Sequence, residues 1–179
     1  MNKSIKGQQG GFTLIELIVV IVILGILAAT ALPRFAALGG EARLASLNAA
    51  KGALSATSAM TRGRVLMAPG TTTVAVEGVN VTMNAASGYP TVTTQVQATA
   101  LAEASGLTAN DYTVFTQGAG TNRPTVGADE IAIVPNSIVG TPTAATCFAR
   151  YTAATARDAA PVYSVGTGGD NAARVRNCE

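Results

Sequence analysis

Leu14–Leu32 reads LIELIVVIVILGILAATAL, 19 residues whose only charge is Glu16. Wound as a helix, the stretch would span about 28 Å, close to the hydrocarbon thickness of a bilayer. Residues 1–11, MNKSIKGQQGG, are polar, carry Lys3 and Lys6, and contain no acid. A basic flank ahead of an apolar run is the pattern of membrane targeting with the N-terminus held in the cytoplasm. Three readings of the run compete. It is a secretory signal cleaved at Ala29-Thr30-Ala31, or a plain transmembrane anchor, or a helix that leaves lipid to pack against other helices. Glu16 bears on the choice, because a carboxylate within a bilayer is expensive and asks for a partner. A signal or an anchor gains nothing from it.

The rest of the composition narrows the function classes. The chain has 179 residues, 12 Lys and Arg against 10 Asp and Glu, no His and 2 Cys. That length allows one domain, or one domain plus an appendage. A net charge of +2 gives no electrostatic footprint for nucleic acid. Without His the commonest general base and metal ligand is missing, and two Cys alone cannot build a structural zinc site. No cofactor, metal or catalytic residue is therefore expected, and the chain does not read as an enzyme.

Downstream of Leu32 the pattern changes. Pro33 lacks an N–H and strains the preceding turn, so it is expected to kink or interrupt the helix. Beyond it Phe35, Leu38, Leu44, Leu47 and Leu54 recur at spacings that put most of them on one helical stripe. Gly39-Gly40 weakens the helix, and Arg62-Gly63-Arg64 followed by Pro69-Gly70 supplies stop signals near Leu66. Thr71–Val76 and Val79–Met83 flank Glu77-Gly78 as a hairpin. Gln95–Ala104 reads as a short helix ending at Ser105-Gly106. Tyr112–Thr116, Glu130–Val134, Thr146–Tyr151 and Val162–Val165 read as strands. One long helix followed by strands predicts an α+β fold, with an antiparallel sheet covering the helix's amphipathic half.

Gly10-Gly11-Phe12-Thr13-Leu14-Ile15-Glu16 and the apolar run after it closely resemble the signature of type IV prepilins. The resemblance implies the type IV pilin fold and a division into a cleaved leader (1–11), an apolar transmembrane and filament-core helix (12–33), its amphipathic continuation (34–66) and a β-rich globular domain (67–179). It implies that a membrane-embedded prepilin peptidase cuts between Gly11 and Phe12 and methylates the new amine of Phe12. Glu16 then pairs with a terminal amine during assembly, and Gly25 and Pro33 match places where the family's helix loosens or bends. The implied partners are further copies of the chain in a helical homopolymer, the peptidase and the pilus assembly machinery, and the inner membrane before assembly. The implied destination is an extracellular pilus of a Gram-negative bacterium, serving adhesion, biofilm formation and motility. Removing Lys3 and Lys6 with the leader leaves equal numbers of basic and acidic side chains, a balance that favours association.

The segment 33–60, PRFAALGGEARLASLNAAKGALSATSAM, is similar to pilins of the mannose-sensitive haemagglutinin type, as are Cys147–Ala154 and Pro161–Val165. The same N-terminus also serves pseudopilins of type II secretion systems, the nearest rival, and an anchored periplasmic protein is the next. In an exported domain Cys147 and Cys178 either join or remain as two buried thiols. A bridge would close a loop of about 30 residues, worth about 3.5–4 kcal/mol in the chain-entropy model. The family's common C-terminal disulfide loop agrees with a bridge.

Other tempting groups weigh little. Asp129-Glu130 reads as a solvated turn rather than a carboxylate pair. Gly118-Ala119-Gly120 and Gly166–Asp170 lack the continuation of a phosphate loop. Asp170 among glycines reads as a turn rather than a calcium site. The Gly11-Phe12 junction makes the first test: the intact mass of surface protein should fit a chain beginning at N-methyl-Phe12. A terminus at Leu32 would support the secretory-signal reading.

Overall fold

The computed structural model describes residues 13–168 and 171–179. Its elements, in order, are α1 (Leu14–Met67), β1 (Thr73–Val76), β2 (Val79–Thr82), α2 (Gln95–Ala104), β3 (Tyr112–Phe115), β4 (Glu130–Pro135), two 3-10 turns (Asn136–Ile138 and Pro142–Ala145), β5 (Ala149–Thr152), β6 (Val162–Val165) and α3 (Asn171–Arg176). The fold is α+β, a long N-terminal helix packed on an antiparallel sheet, the layout of the type IV pilin fold. The chain divides into two compact units, one ending at Leu38 and the other running Gly39–Glu179.

The expected interruption at Pro33 does not occur: α1 is helical through Gly25, Pro33 and Gly39-Gly40. A proline removes one N–H from the ladder, and the alanine-rich turns around it keep their own bonds. The expected apolar stripe is also shorter at its start. Phe35 and Leu38 are exposed, whereas Leu44, Leu47, Ala50 and Leu54 are buried. Thr57, Ser58 and Thr61 continue the buried stripe, and the Thr61 hydroxyl donates to the Thr57 carbonyl at 2.9 Å. Such a bond removes the cost of taking that hydroxyl out of water.

Strands β3-β4-β5-β6 form a meander in which each strand pairs antiparallel with the next, and β1-β2 is a separate hairpin. Glu77 and Gly78 both have positive φ (49° and 84°), the two-residue turn whose twist suits a hairpin. Helix α2 opens on a capping box, Thr94 with Gln97, and closes with Gly106 and Leu107 N–H groups bonded to the Glu103 and Ala102 carbonyls. Of the strands read from sequence, Thr146–Tyr151 is displaced: β5 starts at Ala149. Pro142 opens a 3-10 turn, and the Thr143 carbonyl takes the N–H groups of both Thr146 and Cys147.

Register alternation gives the four-stranded sheet two distinct faces. Cross-strand rows Val114-Ile133-Ala149-Val165 and Ile131-Tyr151-Tyr163 share one face. This face meets α1, where the Tyr112 hydroxyl pairs with Ser46. The Tyr151 hydroxyl donates to the Pro90 carbonyl at 2.8 Å, and burial pushes its pKa up, so it remains a neutral donor. The other face carries Phe115, Ala132, Phe148 and Arg150. The loop between β3 and β4 folds over it, closed by paired bonds between Gly118 and Val126. Glu130 is not part of a solvated turn. It opens β4, pairs with Arg150 at 3.1 Å, and accepts from Thr152 at 2.9 Å and from the Gly127 N–H at 3.0 Å.

Leu54 is fully buried between α1 and the sheet. Leu54→Ala should cost about 2–5 kcal/mol, the range for a truncated core leucine, read as a lower urea midpoint of the detergent-solubilised chain. A loss below about 1 kcal/mol would place Leu54 outside the core.

Candidate functional site

The features that distinguish this chain gather at the start of α1. Leu14–Leu32 is long and apolar enough to cross a membrane. Apart from the half-buried Ala31, every residue in it is exposed in the isolated chain. Leu14, Ile15, Leu17, Val19, Ile21, Leu24 and Leu27 point in all directions, so the segment has no preferred apolar side. A helix apolar all round belongs in lipid or among other helices. Its one mid-helix hydroxyl, Thr30, donates to the Leu27 carbonyl at 2.9 Å and carries no unmet donor into that surrounding.

The first turn has its own polar arrangement. Thr13 precedes the helix as its cap, and its backbone N–H and its hydroxyl both donate to Glu16 Oε2 at 2.8 Å. The Glu16 N–H approaches Thr13 Oγ1 at 3.3 Å. This is a capping box built on Thr13-Leu14-Ile15-Glu16, and it pins one carboxylate oxygen over the helix N-terminus, where the dipole favours negative charge. Among the described residues, Glu16 Oε1 has no hydrogen-bond partner. A threonine three residues ahead of a glutamate before an apolar run is the sequence signal for this box.

The other residues singled out from sequence are dispersed. Gly11 and Phe12, the expected processing junction, lie outside the described residues. Gly25 is helical, and a β-carbon built there would meet nothing within 4 Å. Pro33 lies within the same helix. Cys147 and Cys178 form a disulfide, with Cα atoms 4.9 Å apart, in the other compact unit. Among the described residues no three His, Cys, Asp or Glu side chains gather as a metal site. An open hollow of the folded domain lies between α2 and β3 and is lined by Gln95, Thr99, Glu103 and Tyr112.

The family model described as the prokaryotic N-terminal methylation motif matches residues 6–32. The chain carries a prepilin-type methylation motif. This motif is shared by type IV pilins and pseudopilins, and it implies processing by a prepilin peptidase. The match takes in Lys6 of the basic flank, the Gly11-Phe12 junction, Thr13, Glu16 and the apolar helix together. No curated protein and no solved structure matches the chain. The motif and the fold together are those of a pilin-like chain.

The capping box yields a direct test. Thr13→Ala removes the hydroxyl donor and should weaken the first turn by about 1 kcal/mol, the usual worth of a threonine cap. Amide exchange at Glu16 and Leu17, measured in detergent micelles, should speed up while Leu24–Leu27 stays unchanged. Unchanged exchange at Glu16 would show that the box does not hold the turn.

Proposed function

We propose that the chain is the major subunit of a type IV pilus, of the mannose-sensitive haemagglutinin type. Residues 1–11 are the leader, 12–33 the helix that moves from membrane to filament core, 34–66 its amphipathic continuation, and 67–179 the displayed domain. The peptidase cuts between Gly11 and Phe12 and methylates Phe12. The subunit waits in the inner membrane and then joins an extracellular filament that serves attachment, biofilm formation and motility.

One observation carries this reading: the methylation motif over 6–32 ends in a helix with an apolar surface on every side and a single carboxylate near its start. Leaving lipid gives no hydrophobic gain by itself, because tails and leucines are equally apolar, so packing and polar pairing must favour assembly. Thr13 occupies Oε2 of Glu16, and Oε1 has no hydrogen-bond partner among the described residues. The methylated amine of Phe12 from a neighbouring copy is the cation of the right charge and depth to pair with it. In dry surroundings such a pair attracts far more strongly than in water, although desolvation offsets part of the gain. Removing only the carboxylate leaves the amine unpaired, which is the costly outcome. The contact is head-to-tail and does not close, so it propagates as a helical fibre rather than a ring. Gly25 and Pro33 weaken the ladder between them, and in the filament this stretch extends.

The experiment is Glu16→Ala in cells carrying only the variant, with immunoblots of membrane and sheared surface fractions. The variant should insert and be processed after Gly11, and sheared filament should fall at least about tenfold, the loss of one buried charge pair. Wild-type amounts of filament would overturn the assembly role of Glu16.

A further inference from the structure

The C-terminal tail lies against α1 where the folded unit begins. A β-carbon on Gly40 would come within 2.8 Å of the Val175 carbonyl oxygen and 2.9 Å of Glu179 Cγ. The tail thus occupies the space that any other residue at position 40 would fill. One turn on, Arg43 Nη1 donates to the Cys178 carbonyl at 2.6 Å, a charge-assisted bond. From the opposite side the Thr146 hydroxyl donates to the Asn177 carbonyl at 2.9 Å, and the Thr143 hydroxyl to the Glu179 carbonyl at 3.2 Å. The Cys147–Cys178 bridge, buried at both ends, ties these carbonyls to the turn before β5.

We propose that residues 175–179 are a strap, held shut by the disulfide, that protects the α1 turn at Gly40–Arg43 from proteolysis. A protease with trypsin-like specificity must take the Arg43 side chain into its pocket, and a guanidinium bonded to the Cys178 carbonyl cannot be taken. With the bridge closed, the tail bonds are intramolecular at high effective concentration, and the strap stays down. Reduction by a dithiol passes two electrons and two protons to the cysteines, the reductant becoming a disulfide, and leaves the tail held only by hydrogen bonds. Local opening then frees Arg43 without unfolding the sheet. Hydrolysis of the Arg43–Leu44 peptide bond would part the apolar segment from the domain. A newly exported, unoxidised chain is thus marked for removal by the same bond that protects a finished one. That cellular role rests on the export reading above, whereas the strap itself is tested without filaments.

The test is limited trypsin digestion of the full chain in detergent, with fragment masses reporting cuts after Arg43 and after Lys51. The double variant Cys147→Ser, Cys178→Ser should be cut after Arg43 about tenfold faster than the oxidised chain, with the Lys51 cut unchanged. Gly40→Ala keeps both cysteines and raises intrinsic helix propensity, yet it should also speed the Arg43 cut, because its methyl displaces the tail. Gly39→Ala, whose β-carbon would meet only Arg43 Nη1 at 3.9 Å, should slow it. Equal acceleration at Arg43 and Lys51 would mean that the bridge holds the whole domain, and the strap proposal fails. Resistance at Arg43 in both the double serine variant and Gly40→Ala would overturn it as well.

Discussion

The buried stripe of α1 is the constraint on which the folded unit depends. Leu44, Leu47, Ala50 and Leu54 make one wall of the core, and the rows through Ile133 and Tyr151 make the other. Each fully buried leucine contributes about 1.5–3 kcal/mol, so a few positions hold the sheet to the helix. Small residues on the stripe matter as much as large ones. Ala50, Ser58 and Thr61 are buried, and a bulkier side chain at any of them would push the helix off Tyr151 and its neighbours. The hairpin, α2 and the meander then need only short connections and local caps.

Upstream of Gly39 the same helix obeys a different solvent. Over Leu14–Leu32 the apolar side chains surround the axis, Thr30 bonds to its own helix, and one oxygen of Glu16 is tied to Thr13. A helix with one wet side could not be handed from lipid to other helices without leaving polar groups unmet. One unbroken helix thus changes from an all-round apolar surface over Leu14–Leu32 to a single buried stripe that begins at Leu44.

Much of this was legible in the sequence because the signals are local. The apolar run, the Glu77-Gly78 turn and the helix Gln95–Ala104 each declare themselves within ten to twenty residues, and the structure places the last within the bounds that were read. What was missed depends on partners distant in sequence. Phe35 and Leu38 fit the stripe by spacing, yet the core begins only at Leu44, and no local rule says where a sheet stops covering a helix. Gly40 reads as a helix-weakening residue until Val175 is seen against it. Glu130 reads as part of a turn until Arg150 and Thr152, twenty residues away, supply its bonds. Pro33 does not interrupt the helix, since one lost N–H does not end a run whose neighbours favour it. At the N-terminal site Glu16 stood out by charge alone, whereas Thr13 needed the three-residue spacing to be recognised.

The two faces of the meander are held by different chemistry. The inner face is a dry hydrocarbon contact with α1. The outer is a layer of polar joints, in which Arg123 lies over Phe115, Arg150 lies over Phe148, and Glu130 links the loop to two strands. Apart from the buried Pro124 and Val126, substitutions in that loop therefore trade among exposed or half-exposed groups and leave the helix-facing rows untouched. Mutational drift has a lane of its own here. The outer surface can change its charge and shape while the seam that keeps the domain on its helix stays the same.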